Sequence, residues 1–258
     1  MTRVRRDGTE PAPAGSAGAW GVCWNPAPEA RIRLLCVPPA GTGAAMFRPW
    51  ATALAPDIEV IAVRLPGRET RFGEQPATHV DDLVPELLDG LRPWLKAPHA
   101  WFGHSMGALV AFEACRMSLR TGLAVPSRLH VACHPGPQLV ERRFAGVGPS
   151  DDDLMAYLRD VGGVPEEIRQ SPAFAAFLPM LRADFDVLRT YRHRPGPPLD
   201  LPISVYGGAS DDGVDARELA AWGEHSSTGC EVRMLPGGHF FPREDPGRLL
   251  AAIAAAPA

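Results

Sequence analysis

The feature that most constrains this chain is the sequence Gly-His-Ser-Met-Gly at residues 103–107. A short apolar run precedes it at residues 97–102, and a helical run follows it at residues 108–115. A serine on a sharp turn between a strand and a helix exposes its hydroxyl, and glycines two residues to either side let the strand and the helix approach each other. The pattern therefore predicts a nucleophilic serine, Ser105. The alternative is a glycine-flanked turn whose serine only caps a helix.

Length and composition favour one large soluble domain. The chain has 258 residues, of which 45% are hydrophobic, so it can bury a single α/β core. A net charge of −4 argues against nucleic acid and anionic membrane as partners. Residues 1–18 are rich in Pro, Ala and Gly and predict a disordered tail rather than a signal peptide, ahead of one domain at residues 19–258. Because no stretch is long and apolar enough to span a bilayer, we expect a cytoplasmic protein.

The cysteines give no sign of a disulfide or zinc framework. The chain has five cysteines, widely spaced and without a Cys-x-x-Cys pair. Cys36, Cys115 and Cys133 lie in apolar runs, where cysteine acts as a small buried hydrophobic side chain. We therefore expect neither a disulfide framework nor a zinc framework.

Strand and helix patterns alternate along most of the chain. Apolar runs predict buried strands, and leucines spaced three to four residues apart predict an amphipathic helix over residues 80–95. This alternation predicts a mainly parallel sheet with helices on both faces. Besides the run before Ser105, the predicted strands cover residues 32–37, 58–63, 129–133, 202–206 and 231–235.

The alternation stops between residues 149 and 194, where only helical spacing is present. Helices inserted between strands of such a sheet predict a lid over the carboxyl ends of the strands, where ligands bind. The alternative is additional helical packing on the edge of the sheet.

A serine hydroxyl needs a base and an acid that orients the base. In sheets with this kind of serine turn the order along the chain is Ser, then Asp or Glu, then His. His239 follows the last predicted strand and two glycines, so it is the expected base, with His225 as the alternative. His104 is expected to be structural, because a neighbour of the serine on the turn projects away from it.

The acid and the oxyanion donors are predicted from the loops after two strands. Asp211 is the first acid after the strand at residues 202–206, and Asp212 is the alternative; either one also suits a turn. We favour Asp211, partly on the resemblance described next. The expected oxyanion donors are the backbone N–H groups of Met106, which follows the serine, and Ala40, in the loop after the first core strand.

Four motifs in this order resemble those of type II thioesterases, the discrete editing enzymes that accompany modular polyketide and nonribosomal peptide synthases. The resemblance covers about residues 30–250. The Ser105 motif alone occurs in many hydrolases, and the other three make the resemblance more specific. The motifs are Leu-Pro-Gly-Arg at 65–68, Gly-His-Ser-Met-Gly at 103–107, Leu-Pro-Met-Leu-Arg-Ala-Asp-Phe at 178–185 and Gly-Gly-His-Phe-Phe at 237–241.

The resemblance implies an α/β-hydrolase fold with an inserted helical lid. It implies Ser105 as nucleophile, Asp211 as orienting acid and His239 as base, with the backbones of Ala40 and Met106 as oxyanion donors. It also implies a substrate, which is a short or aberrant acyl group on the phosphopantetheine thiol of an acyl or peptidyl carrier protein. No metal or cofactor is implied.

The chain departs from the family pattern at two loops. Members often carry an aromatic residue or histidine and a second glycine in the first loop, where this chain has Pro-Pro-Ala-Gly-Thr at residues 38–42. After the strand at residues 129–133, relatives more often have Ser-Gly-Arg where this chain has Cys-His-Pro-Gly-Pro.

Carrier domains are usually acidic, so docking onto this acidic chain requires a local basic patch. Candidates for it are Arg64, Arg68 and Arg71, and also Arg142 and Arg143. The alternative for each arginine is a solvated loop position or a turn held by its hydrogen bonds. A monomer is the default expectation.

Two other functions fit parts of the pattern. The same serine, acid and histidine serve a general acyl-CoA thioesterase or a small-ester hydrolase, in which the arginines meet CoA phosphates. A non-catalytic binding protein on a hydrolase scaffold is disfavoured, because all three residues are present in the expected order.

Overall fold

The computed structural model describes residues 16–96, 98–144, 148, 150–160 and 172–257. Strands in this part of the chain form one sheet, in the spatial order first, third, second, fourth, fifth, sixth, seventh. All neighbours pair in parallel except the first and third, so the predicted mainly parallel sheet is confirmed. The strands are β1 (Gly21–Val22), β2 (Ile32–Val37), β3 (Ile58–Val63), β4 (His99–His104), β5 (Leu129–Ala132), β6 (Ile203–Gly208) and β7 (Cys230–Leu235).

Helices connect these strands and cover the sheet. The described α-helices are α1 (Ser16–Trp20), α2 (Arg48–Ala53), α3 (Val80–Leu91), α4 (Met106–Thr121), α5 (Val140–Phe144), α6 (Asp151–Asp160), α7 (Pro172–Thr190), α8 (Ala216–Ala220), α9 (Phe241–Glu244) and α10 (Gly247–Ala254). Short 3-10 helices lie at Ala44–Phe47, Glu69–Arg71, Trp94–Lys96, Pro137–Leu139 and Ala221–His225.

The sheet separates two apolar cores, as expected when helices cover both faces. Along β2, Leu35 and Val37 belong to one core and Leu34 and Cys36 to the other, because successive side chains point to opposite faces. Helices α3 and α4 pack on the first core, whereas α2 and α10 pack on the second. Burial of both faces is the reason that the strands read as continuous apolar runs.

Three differences from the sequence prediction have physical reasons. Strand β1 was not predicted, because two residues are too few to show a periodicity. Helix α3 ends at Leu91 rather than 95, since Pro93 has no backbone N–H with which to continue the helical hydrogen bonds. Strand β6 continues to Gly208, because both of its final glycines pair with β7.

The predicted insertion at residues 149–194 is described in two pieces, α6 and α7, which we call the insert helices. Residues 161–171 within it, and residues 1–15 of the predicted tail, lie outside the described residues, while the remaining tail residues fall in α1. Helix α7 packs on α5, α4 and α6. Among the described residues, no helix combines the length and apolar character needed to cross a membrane.

Candidate active site

Ser105 lies on a strained turn between β4 and α4. Its φ of 52° and ψ of −121° are outside the regions that non-glycine residues usually occupy. Its N–H donates to the carbonyl of Ala132 on the neighbouring strand at 2.8 Å, which anchors the turn to the sheet. Strain of this kind costs about 1–3 kcal/mol and persists only where the surrounding structure enforces it. The turn holds the serine side chain at the carboxyl end of the sheet.

The two glycines of the motif permit this turn. A Cβ atom on Gly103 would lie 2.2 Å from the carbonyl oxygen of Gly107. A Cβ on Gly107 would lie 2.2 Å from the carbonyl oxygen of Val37, at the end of β2. Both contacts are with backbone that has no freedom to withdraw, so any side chain here would push the strand and the helix apart. The start of α4 thus packs directly on the loop that follows β2.

The loops after β6 and β7 are joined by backbone hydrogen bonds. The N–H of Ala209 donates to the carbonyl of Leu235 at 2.7 Å, and the N–H of Ser210 donates to the carbonyl of Gly237 at 2.9 Å. A Cβ on Gly208 would lie 2.5 Å from the carbonyl oxygen of Gly238, so the two backbones are in close contact. These bonds place residues 211 and 239 side by side, although they are 28 positions apart.

Ser105, His239 and Asp211 form one chain of hydrogen bonds. The His239 Nε2 lies 3.1 Å from the Ser105 Oγ. On the other side of the ring, the His239 Nδ1 lies 2.9 Å from the Asp211 Oδ2. An ionised carboxylate only accepts, so Nδ1 carries a proton and Nε2 is left to accept the serine proton. The structure therefore brings together the three residues that the sequence predicted.

Asp211 is held in its ionised form. Burial raises the pKa of this carboxyl, but the hydrogen bond and charge of His239, with the N–H of Gly213 on Oδ1 at 2.8 Å, outweigh burial and leave its pKa below the usual range. A carboxylate that accepts several hydrogen bonds favours its charged form. Asp212, the alternative acid, is exposed.

The other candidate histidines have structural partners. The Nε2 of His225 lies 2.7 Å from the Gln138 Oε1, and its ring packs on Phe112, away from Ser105. His104 is buried, and burial together with the charge of His239 lowers its pKa to about 3, so its ring is neutral. Its Nε2–H donates to the carbonyl of His239 at 2.8 Å. His104 thus holds the backbone of the residue that contacts the serine.

Cys133, whose apolar run predicted only a place in the core, lies beside the acid and the histidine. Its Sγ, an Asp211 oxygen and a His239 nitrogen lie within 4.8 Å of one another, and cysteine, aspartate and histidine are all metal-ligand types. Burial and the charge of Asp211 raise the pKa of the thiol well above its usual value, which disfavours the thiolate that attacks or binds metal. The sequence signal that could have placed Cys133 at the site is its position directly after β5, because residues that follow the strands of such a sheet line the site. A metal-free site stays a prediction.

The loop after β2 carries Ala40, one predicted oxyanion donor. The loop is a tight turn in which the N–H of Thr42 donates to the carbonyl of Pro39 at 3.2 Å, with Gly41 at φ 71°. The other predicted donor, Met106, is the first residue of α4, where N–H groups have no partner within the helix. Val37, at the base of the loop, contacts the start of α4 through Gly107, so both predicted donors lie at the same edge of the sheet.

Two of the three arginines after β3 are buried. Arg68 is buried and bonds to Asp184 on α7, and Arg71 is buried against the ring of Trp20 at 3.9 Å. Arg64 pairs with Glu69 at 3.4 Å. For Arg68 and Arg71 the structure favours the alternative role, a turn held by their hydrogen bonds, because an acidic partner cannot reach buried guanidinium groups.

The two arginines of α5 differ from each other. Arg143 donates to Glu218 at 3.0 Å, whereas Arg142 is exposed. Arg142 is thus the member of the predicted set that remains accessible to an acidic surface.

Comparison with known proteins identifies the family. The Thioesterase domain family matches residues 32–256. The gramicidin S biosynthesis protein GrsT of Aneurinibacillus migulanus is 36% identical over 223 residues, covering 86% of this chain and 87% of GrsT.

Solved structures of type II thioesterases have the same fold. BorB, from the borrelidin biosynthetic cluster, is 37% identical with a TM-score of 0.78 over 92% of this chain and 96% of BorB. YbtT, from the yersiniabactin pathway, is 30% identical with a TM-score of 0.78 over 91% of this chain and 96% of YbtT. The chain therefore belongs to the thioesterase family and is a type II thioesterase related to those of nonribosomal peptide and polyketide biosynthesis.

Proposed function

We propose that Ser105, His239 and Asp211 hydrolyse acyl thioesters carried by the phosphopantetheine arm of a carrier protein, through an acyl-enzyme intermediate. The observation that carries this proposal is the chain of hydrogen bonds from Asp211 through His239 to the serine on its strained turn. A hydroxyl in this arrangement has a base in contact with it, and the base has a fixed tautomer.

In the first half-reaction, the Ser105 Oγ attacks the thioester carbonyl while its proton passes to the His239 Nε2. Asp211 stabilises the imidazolium that forms. The carbonyl oxygen becomes negative and is stabilised by the N–H groups of Ala40 and Met106, each typically worth about 3–4 kcal/mol in the transition state. The carbon–sulfur bond then breaks, and the thiol leaves with the proton from His239.

In the second half-reaction, water replaces the thiol. His239 takes a proton from water as its oxygen attacks the acyl carbon, and the same two N–H groups stabilise the second oxyanion. The carbon–oxygen bond to Ser105 breaks, the serine regains its proton from His239, and a free carboxylic acid is released. No step requires a metal or a cofactor.

The substrate we propose is a short or aberrant acyl group whose removal releases a stalled biosynthetic carrier. Support comes from the relatives, which include a gramicidin S biosynthesis protein and a type II thioesterase of a mixed peptide and polyketide pathway. A cytoplasmic location and a monomeric state stay predictions.

The test compares three carriers of one short acyl group: pantetheine-loaded carrier protein, CoA and a simple thiol. We expect kcat/KM for the carrier protein to exceed that for CoA, because contacts with the protein contribute binding beyond the thioester. Ser105→Ala, measured on all three, supplies the background rate.

Equal rates on all three substrates would contradict the carrier-protein part of the proposal and leave a thioesterase that recognises only the acyl thioester. Faster turnover of the CoA substrate would favour the acyl-CoA thioesterase. Wild-type activity in Ser105→Ala would contradict the proposed chemistry altogether.

A further inference from the structure

A buried ion pair joins an insert helix to the loop after β3. The Arg68 Nη2 donates to the Asp184 Oδ1 at 2.6 Å, and the Arg68 Nη1 donates to the Asp184 Oδ2 at 2.9 Å. The two residues are 4% and 2% exposed and are 116 positions apart in the chain. Buried pairs of this kind usually contribute no more to stability than a well-packed apolar pair, because desolvation offsets their attraction. Stability alone therefore does not explain the pair.

Besides a bond from the Arg68 Nε to the carbonyl of Pro66 at 3.3 Å, the pair makes two hydrogen bonds to a third segment, the loop after β2. The N–H of Gly41 donates to the Asp184 Oδ2 at 2.8 Å. The Arg68 Nη1 also donates to the carbonyl of Thr42 at 3.0 Å. These two bonds hold consecutive residues of the turn that begins with Pro39 and Ala40. Charged partners make such bonds shorter and stronger than bonds between neutral groups.

Apolar packing brings the same helix against the same turn. A Cβ on Gly41 would lie 2.7 Å from the Leu181 Cδ1, and Leu181 is one helical turn before Asp184 on α7. Gly41 also has a φ of 71°, which glycine adopts without a steric penalty. The turn is therefore held by the Leu181 side chain, the Asp184 carboxylate and the Arg68 guanidinium. All three come from segments distant from the turn in the sequence.

We propose that Asp184 and Arg68 are positioning residues that hold the N–H of Ala40 in place for the oxyanion. The inference rests on the proposed function, since it assigns a task to the loop only if Ala40 acts as a donor there. Oxyanion donors act because they are fixed before charge develops, and a displacement of about 1 Å can cost two orders of magnitude in rate. Because Asp184 lies on α7, the pair also makes the position of the Ala40 N–H depend on the position of this helix.

The first variant is Asp184→Asn, which keeps the shape and removes the charge. We expect kcat to fall about 10- to 100-fold with KM changed less than about threefold, because the loss is confined to the transition state. The matched control is Asp186→Asn on the same helix, which removes an ion pair with Arg189 at 2.8 Å and touches no part of the loop. The control is expected to keep the wild-type rate.

A second variant separates positioning from stability. In Arg68→Met/Asp184→Leu an apolar pair of similar volume replaces the ion pair, so the fold can retain its melting temperature. Gly41 is exposed, and water can satisfy its released N–H. We expect this double variant to melt near wild type and to keep the kcat defect. Wild-type turnover in a stable double variant would overturn the proposal.

A third measurement reports on the oxyanion itself. A trifluoromethyl ketone analogue of the acyl pantetheine thioester forms an oxyanion adduct with serine, whereas the matching thioether only occupies the site. In Asp184→Asn the affinity for the ketone should fall by the same factor as kcat/KM, and the affinity for the thioether should stay within about threefold. Equal losses for both compounds would overturn the positioning role.

These results are distinguishable from a failure of the proposed function. If wild type hydrolyses the thioester, Ser105→Ala does not, and Asp184→Asn matches wild type, only the positioning role is wrong. If Ser105→Ala is as active as wild type, both proposals are wrong.

Discussion

Two loop regions meet at Ser105, and they are held in different ways. The loops after β6 and β7, which carry Asp211 and His239, are joined by backbone hydrogen bonds between neighbouring strands. The loop after β2, which carries Ala40, is held by side chains of Arg68 and Asp184 from distant segments. A backbone ladder continues the sheet and tolerates many side chains, whereas the second arrangement depends on individual residues. The first region should therefore respond to changes in backbone spacing and the second to changes of single side chains.

The largest expected effect comes from removing the nucleophile, the Ser105 Oγ at which both regions meet, or the base that activates it. Ser105→Ala and His239→Ala should each lower kcat by about 10⁴-fold or more, and the double variant should be no slower than either, because nucleophile and base act as a unit. Steady-state hydrolysis of one acyl thioester measures this, with circular dichroism as the folding control. A double variant that is much slower than both single variants would show that the two residues act independently.

The next test separates the backbones of the loops after β6 and β7. In Gly208→Ala the new methyl group would lie 2.5 Å from the carbonyl oxygen of Gly238 and 2.7 Å from that of Gly237. We expect a loss of about 1–3 kcal/mol in unfolding free energy and about 100-fold in kcat, because Asp211 and His239 move apart. Denaturant unfolding and kinetics measure the two effects.

The matched control for this test is Gly223→Ala. A Cβ at Gly223 has nothing within 4 Å, so the same substitution there should leave both quantities near wild type. Wild-type kcat in a folded Gly208→Ala variant would show that the spacing of these two backbones does not control the site.

The two regions also differ in how far the sequence predicts them. The order of Ser105, Asp211 and His239 follows from where strands end, and a parallel sheet brings those ends to one edge, so the chain of hydrogen bonds was predictable. The bonds from Asp184 and Arg68 were not. The two residues are 116 positions apart. The sequence of a helix does not show whether one of its carboxylates faces water or contacts a loop.

The same reasoning explains the errors in the fold and the surface. The long core strands show clear apolar runs, but the two-residue strand β1 has no period to detect. The arginines after β3 stayed open between a basic patch and residues that hold a turn, because charge is visible in a sequence and burial is not. Cys133 was assigned to the core correctly, but its proximity to Asp211 depends on two loops meeting in space.

A smaller effect is expected from crowding the turn after β2. Gly41→Ala places a methyl group 2.7 Å from the Leu181 Cδ1 at φ 71°. Gly122→Ala has nearly the same φ, 68°, but nothing within 4 Å, so it measures the conformational cost alone, about 1 kcal/mol. We expect Gly41→Ala to lose more stability than Gly122→Ala, because the buried Leu181 must shift to admit the methyl group, and only Gly41→Ala to lose about tenfold in kcat. Equal kcat in the two variants would show that the turn does not respond to α7.

The last test has the smallest expected effect on kcat and concerns a histidine in the sheet, outside both loop regions. His130, on β5, has its Nδ1 3.1 Å from the Tyr206 hydroxyl, and burial, aided by the charges of Arg128 and Arg233, lowers its pKa to about 3. The unfolded chain, with a histidine pKa near 6.5, binds this proton first. The free energy of unfolding should therefore fall as pH decreases from about 6.5 towards 3, by at most about 1.4 kcal/mol per pH unit from this residue.

His130→Gln keeps a polar partner for Tyr206 and removes the titration. We expect its unfolding free energy, measured with denaturant at pH 7 and pH 5, to change with pH by about 2 kcal/mol less than that of wild type. Because His130 lies away from both loop regions, its kcat at pH 7 should be unchanged. An identical pH dependence in the two proteins would mean that His130 is protonated equally in the folded and unfolded states and does not contribute to the acid sensitivity of the fold.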